Sequence, residues 1–230
     1  KLLAAAAAHI AIHLENAGLY DDMNTMFLGM LEAITASIDA KDQYTCGHSR
    51  RVALLTRQLA EGIGLDGATV KRMHIAGMVH DVGKIGVPEA VLCKAGRLTD
   101  AEYVQGQRHP EIGFGILKDI PSFDDILDGV RHHHERFDGG GYPSNLAGED
   151  IPLAARLIAL ADAFDAMCSS RTYRDAMDRD AVLAEIEAGS GTQFDPALVP
   201  CFLKLDFSEW EQLIASHGGM MPHARLEDAA

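Results

Sequence analysis

Eleven histidines fall in 230 residues, and the informative ones stand close to carboxylates: His48, His80-Asp81, His109, His132 to His134, and Asp162, spread over five segments. Imidazole and carboxylate without thiolate is a ligand set suited to iron, manganese, nickel or zinc, and an octahedral mixed site favours iron or manganese. Adjacent residues on a helix end, such as His80 and Asp81, project about 100° apart. Both can serve one point only if that point is a multi-centre target, and a pair of metal ions bridged by the aspartate is such a target. Lys84 follows one helical turn later, where it could reach a phosphate oxygen held at the metals.

Each of these residues also has an ordinary reading when taken alone. His48 shares a face with Val52, Leu55 and Leu59, so its imidazole points to the core, where a histidine commonly bonds a backbone carbonyl. Lys84 could be a solvated helix-end lysine, His109 a loop or cap residue before Pro110, and His132 to His134 a solvated helix end with at most two rings facing one site. Asp162 sits in LIALADAFDAM among apolar neighbours and needs a compensating cation, a metal or an arginine, because burying it unpaired costs several kcal/mol. The metal reading accounts for all of them together.

The elements that must position these groups are helices. Nearly every long segment has helical apolar spacing, and alternating patterns with hairpin signals are scarce, so the fold is expected to be all-α. A first helix is expected over residues 1–28, with a rough apolar stripe of Ile10, Leu14, Ala17, Met23 and Phe27, and a second over 28–40. Further helices are expected over 48–61, 68–80, 110–118, 123–135, 153–167 and 179–188, with a last one starting at Phe194-Asp195-Pro196. Thr99 and Glu102 have the spacing of a capping box. Four glycines and two prolines in RFDGGGYPSNLAGEDIP mark a loop over 136–152. The expected organisation is a signalling helix (1–28), one helical domain (29–215) and a tail (216–230).

Composition narrows the function. With 47% hydrophobic residues the chain can bury one sizeable core. A formal net charge of −14 without clustered Lys and Arg argues against long nucleic acid as a partner. No run approaches ~18 apolar residues, so neither a membrane span nor a signal peptide is expected, and the expected location is cytoplasmic. Cys46, Cys93, Cys168 and Cys201 lie far apart, which favours packing over disulfides or a thiolate site.

The string HDVGKIGVPEAVLCKAGRLT, then His109, then HHERFDGGGYPSNLAGEDIPLAARLIALADAFDAM and RTYR, resembles the HD-GYP family of cyclic di-GMP phosphodiesterases over about residues 30–202. The resemblance implies metal ligands at His48, His80, Asp81, His109, His133, His134 and Asp162, with Asp81 bridging two ions and His132 spare. It implies catalytic roles for Asp81 and Lys84, and substrate contacts for Lys84, Asp165, Arg171 and Arg174, the aspartate at a guanine edge. It also implies that the Gly141-Tyr142-Pro143 loop shapes the site and meets GGDEF-type partners. Tyr44 stands where some members carry a glutamate for a third metal, so two metals are expected. The opening AAAAAHIAIHLENAGLYDDM resembles the closing helix of a GAF sensor domain, which implies a sensor upstream and a parallel homodimer through this helix.

The expected chemistry is in-line attack of a metal-bridging hydroxide on a cyclic dinucleotide, cyclic di-GMP or cyclic GMP-AMP, giving a linear dinucleotide and further GMP. Two other classes stay open from the residues alone: a weakly active dinucleotide receptor or GGDEF-interaction module, and a nucleotide phosphohydrolase of the wider HD superfamily.

Overall fold

The computed structural model describes residues 2–41, 47–94, 96–169 and 177–217. Among them the expected all-α architecture holds: helices and turns, with a single isolated bridge between Ser190 and Phe194. The chain divides into two compact units, Lys1–Ile34 and Thr35–Ala230.

Helix α1 (Leu2–Asp39) supplies the first unit. It does not break near Leu28 as expected. The segment holds no proline, and nothing lies within 4 Å of a Cβ built on Gly18 or Gly29. Each glycine therefore costs only about 1 kcal/mol of helix preference, too little to end a long helix. Ile10, Ile12, Leu14, Leu19, Met23 and Met26 are exposed along it.

The second unit takes the last turn of α1 and continues with α2 (His48–Gly62) and α3 (Gly67–Val79), the latter started by the Asp66 carboxylate accepting from Ala68 N and Thr69 N. A 3-10 turn, Val82–Gly86, leads to α4 (Glu89–Leu92) and α5 (Asp100–Gly106). The capping box at Thr99 and Glu102 is formed in both directions. Helices α6 (His109–Leu117), α7 (Leu127–His132), α8 (Leu153–Cys168), α9 (Arg179–Ala188) and α10 (Val199–Phe202) follow. The helix expected over 123–135 is shortened to α7, because a Pro121–Phe123 turn precedes it and the chain turns off after His132.

One helix was not anticipated, α11 (Ser208–His217). Its signals are short: Asp206 accepts from Ser208 N at 3.0 Å, and Phe207, Trp210, Leu213 and Ile214 repeat at helical spacing.

Helix α8 is the centre of the core. Leu157, Ile158, Leu160, Ala161 and Phe164 are fully buried, as are Val52, Ala53, Leu55, Leu59 and Ala60 on α2. The face that carries His48 is thus the inward face of α2. Phe164 is ringed by Phe202, Phe207 and Trp210, with centroids 4.7–5.5 Å away.

The 3-10 turn after Asp81 lies against the start of α6 so closely that a Cβ on Gly83 would fall 1.9 Å from the carbonyl oxygen of His109 and 2.4 Å from Gly113 N. Both obstacles are backbone and cannot swing aside. Gly83→Ala is therefore expected to cost about 3 kcal/mol by overpacking. That loss should lower the melting temperature by roughly 6–12 °C for a domain of this size. A thermal melt unchanged from the parent chain would refute the close approach.

Candidate metal centre

Six of the seven expected ligands sit at helix ends, where the backbone can hold a side chain at a fixed angle. His48 opens α2, His80 and Asp81 follow α3, His109 opens α6, and His133 and His134 follow α7. Asp162 lies inside α8. The structure brings all seven together in two groups of ligand atoms lying within 4.8 Å of one another: His48, His80 and Asp162, and Asp81, His109, His133 and His134.

Asp81 joins the groups. Its Oδ2 lies 3.2 Å from His80 Nε2 and 3.7 Å from His48 Nε2, and its Oδ1 lies 3.2 Å from His109 Nε2 and 3.9 Å from His133 Nε2. Lys84 Nζ stands 2.7 Å from Oδ2. Asp162 Oδ1 is 3.2 Å from His48 Nε2.

Hydrogen bonds on the far side of each ring decide what the near side offers. His80, His109 and His133 place Nδ1 2.7–2.8 Å from the carbonyl oxygens of Gly77, Gly106 and Val130, each three residues earlier. A carbonyl only accepts, so each Nδ1 donates, and in its neutral form each ring turns an Nε2 lone pair inward. His109 Nε2 lies 3.3 Å from His133 Nε2 and 3.1 Å from His134 Nε2. Buried His80 Nε2 and Asp81 Oδ1 have no hydrogen bond among the described residues. Inward lone pairs around a shared carboxylate, with polar atoms left over, fit first-row divalent ions of nitrogen and oxygen preference.

The two groups differ in their protons. Burial opposes charge on His48, but hydrogen bonds to Asp162 and Asp165 overcome it and raise its pKa to about 10. His80 is raised as well, burial being outweighed by Asp81. Burial and the neighbouring His109 push His134 down to about 3, and burial with His134 beside it holds His133 far below its ordinary value. Against the effect of burial, Lys84 and His80 hold the Asp81 carboxyl well below the usual range.

One expected site residue falls differently. Asp165 was expected at a guanine edge, but it is fully buried, and its carboxylate accepts from His48 Nδ1, Arg51 and Trp210 Nε1. Arg171 and Arg174, like Tyr44, lie outside the described residues. His132 faces Glu135, 3.4 Å away, rather than the cluster.

Two supporting carboxylates went unremarked in the sequence. Asp39 accepts from Ser49 N and Ser49 Oγ, which seats the first turn of α2 beside His48. Glu135 accepts from Ser144 N at 2.7 Å and Leu146 N at 3.2 Å, pinning the Gly141-Tyr142-Pro143 loop, and Tyr142 stacks on His134 at 4.9 Å. A carboxylate ten residues before Ser49 and an acidic residue next to a histidine run were the only traces of these roles.

Because His48 holds a proton that a metal must displace, affinity for an ion at His48, His80 and Asp162 should rise about tenfold per pH unit. His133 and His134 have no proton to give up, so the ion at their side should depend less on pH. Manganese isotherms between about pH 6 and 8, with proton release followed by calorimetry in two buffers, measure this linkage. Equal pH slopes for both ions would contradict the assignment.

Comparison with known proteins agrees with the geometry. The chain is 40% identical over 177 residues to the cyclic di-GMP phosphodiesterase response regulator RpfG of Xanthomonas campestris pv. campestris, covering 76% of this chain and 47% of that one. It is 33% identical over 219 residues to 3'3'-cGAMP-specific phosphodiesterase 2 of Vibrio cholerae, covering 94% and 41%. The chain thus spans less than half the length of these relatives. In fold it is similar to the crystal structure of a cyclic GMP-AMP specific phosphodiesterase of Vibrio cholerae, with a TM-score of 0.58 at 19% identity, covering 81% of this chain and 48% of that one. Residues 32–198, which hold every ligand of both groups, match the family described as HD domain; this chain belongs to that family.

Proposed function

We propose that the chain carries the catalytic domain of an HD-GYP phosphodiesterase that opens a cyclic dinucleotide, cyclic di-GMP or cyclic GMP-AMP, to its linear form and in part to GMP. The observation that carries the reading is the Asp81 carboxylate, divided between two ligand groups with Lys84 Nζ 2.7 Å from one oxygen. The names of the relatives, phosphodiesterases acting on cyclic di-GMP or 3'3'-cGAMP, supply the substrate class.

In this proposal His48, His80 and Asp162 hold one ion, His109, His133 and His134 the other, and Asp81 lies between them. Iron or manganese suits these donors, with zinc or nickel as alternatives. Such ions, when bound, supply Lewis-acid charge to the phosphoryl oxygens and acidify a water for attack on phosphorus. The chain's own groups do the rest. Lys84 takes up charge developing on a non-bridging oxygen, and its side chain, 20% exposed, is open enough to meet a substrate. Tyr142, kept in its neutral form by burial, covers His134 and limits water there. Arg171 and Arg174 are proposed to hold the substrate phosphates, which matters in a chain of net charge −14.

The wider setting is proposed on less. Exposed Ile12, Leu19, Met23, Met26 and Met30 follow alternating spacings of seven, four, three and four on α1, which supports a parallel homodimer through this helix. An upstream sensor, a GGDEF-domain partner at the Gly141-Tyr142-Pro143 loop and a cytoplasmic location complete the proposal. No helix among the described residues is long and apolar enough to cross a membrane.

Protein purified without oxygen should convert cyclic di-GMP to the linear product and carry about two metal ions per chain, one for each ligand group. Lys84→Ala should lower kcat by about 10²–10³ while keeping its metal, as expected for loss of one donor to a developing oxyanion. Asp81→Ala should lose turnover and metal together. Tight dinucleotide binding without product, metals present, would replace the enzyme with a receptor.

A further inference from the structure

Asp165 stands one helical turn beyond Asp162 on α8, and its carboxylate is filled. Its Oδ2 accepts from His48 Nδ1 at 2.8 Å and from Arg51 Nη2 at 2.9 Å, and its Oδ1 accepts from Arg51 Nε at 2.6 Å and from Trp210 Nε1 at 2.7 Å. Four donors occupy the four strong acceptor positions of a carboxylate, so no capacity remains for a substrate. The charge is balanced locally by Arg51, one turn after His48 on the same helix and itself buried.

This arrangement acts on His48. An ionised carboxylate only accepts, so His48 Nδ1 must donate to it, and Nε2 is thereby turned toward Asp162 and Asp81. The angle of the imidazole follows the angle of the carboxylate. Arg51 grips that carboxylate through both oxygens, and Trp210 adds a further hold on Oδ1. Trp210 is 4% exposed, packs edge-on against Phe164 at 5.0 Å, and belongs to α11, beyond the stretch that matches the HD domain family.

We propose that Trp210 is a positioning residue of the metal centre: through Asp165 its indole N–H sets the orientation of His48, which makes α11 a working part of the site. The inference rests on the metal-centre reading above. It also follows that Trp210, the only tryptophan of the chain, reports by its emission on the ion beside His48.

The test uses the whole chain and manganese as the probe. Trp210→Phe keeps an aromatic ring against Phe164 and deletes the donor. Free manganese, followed by its electron paramagnetic resonance, should show one of the two ions bound about tenfold more weakly in the variant, the lower end of what loss of a ligand's supporting partner costs. The other ion should keep its affinity, which a general loosening of the fold would not allow. In the parent chain, tryptophan emission should change with the same saturation curve as the affected ion. Two manganese ions bound equally well by parent and variant would overturn the inference and leave the metal centre standing. Should the variant not fold, emission of the parent that ignores manganese overturns the inference by itself. A parent chain that binds no manganese overturns the metal centre, and this inference with it.

Discussion

Asp81 is 5% exposed, and a carboxylate at that depth costs several kcal/mol unless cations or donors surround it. Lys84 supplies one cation, but the other near neighbours of its oxygens are imidazole Nε2 atoms. In the neutral, Nδ1-protonated state these present lone pairs to a carboxylate that also presents lone pairs. Such a cluster is repulsive in itself and becomes favourable when positive charge enters it. The surrounding helices exist in part to hold this repulsion. His48, His80, His109 and His133 are fixed from behind by a bond to backbone or to a buried carboxylate, and the apolar faces of α2 and α8 close the space around them.

The loop after α7 belongs to the same restraint. Glu135 follows His133 and His134 directly and accepts from the backbone of Ser144 and Leu146, so the loop returns to the helix end that bears two ligands. At Gly141 the return is so close that a Cβ would lie 2.3 Å from Arg136 N and 2.4 Å from Glu135 Cα. Only glycine passes there, and the pass is what lays the Tyr142 ring on His134. A loop that composition alone marks as glycine-rich is in fact pinned from within.

Much of this was legible in the residues. The all-α fold follows from apolar periodicity, and the inward direction of His48 follows from its register with Val52, Leu55 and Leu59, all fully buried. Other features were set by contacts that periodicity does not report. A helix boundary was expected near Leu28, but Gly18 and Gly29 lie in open space, where glycine costs little. Asp165 shares the α8 face of Asp162, but it was marked as a site residue only by the family resemblance. Its role depends on Arg51 and on Trp210, the latter on a helix whose only advance signs were one cap and four apolar residues.

The rings are anchored in two ways, and the difference bears on the chemistry. His80, His109 and His133 donate to carbonyls, which are neutral acceptors. His48 donates to the Asp165 carboxylate, which strengthens its hold on a proton and makes it the more basic ligand once that proton is gone. Asp162, 3.2 Å from His48 Nε2, adds to the same side. An ion held by His48, His80 and Asp162 would therefore meet more donated charge than one held by His109, His133 and His134, beside which Asp81 is the carboxylate found among the described residues. The side with more anionic ligands would be the weaker Lewis acid and the firmer anchor. The imidazole-rich side would be the stronger acid, which would suit it to polarising a phosphoryl oxygen.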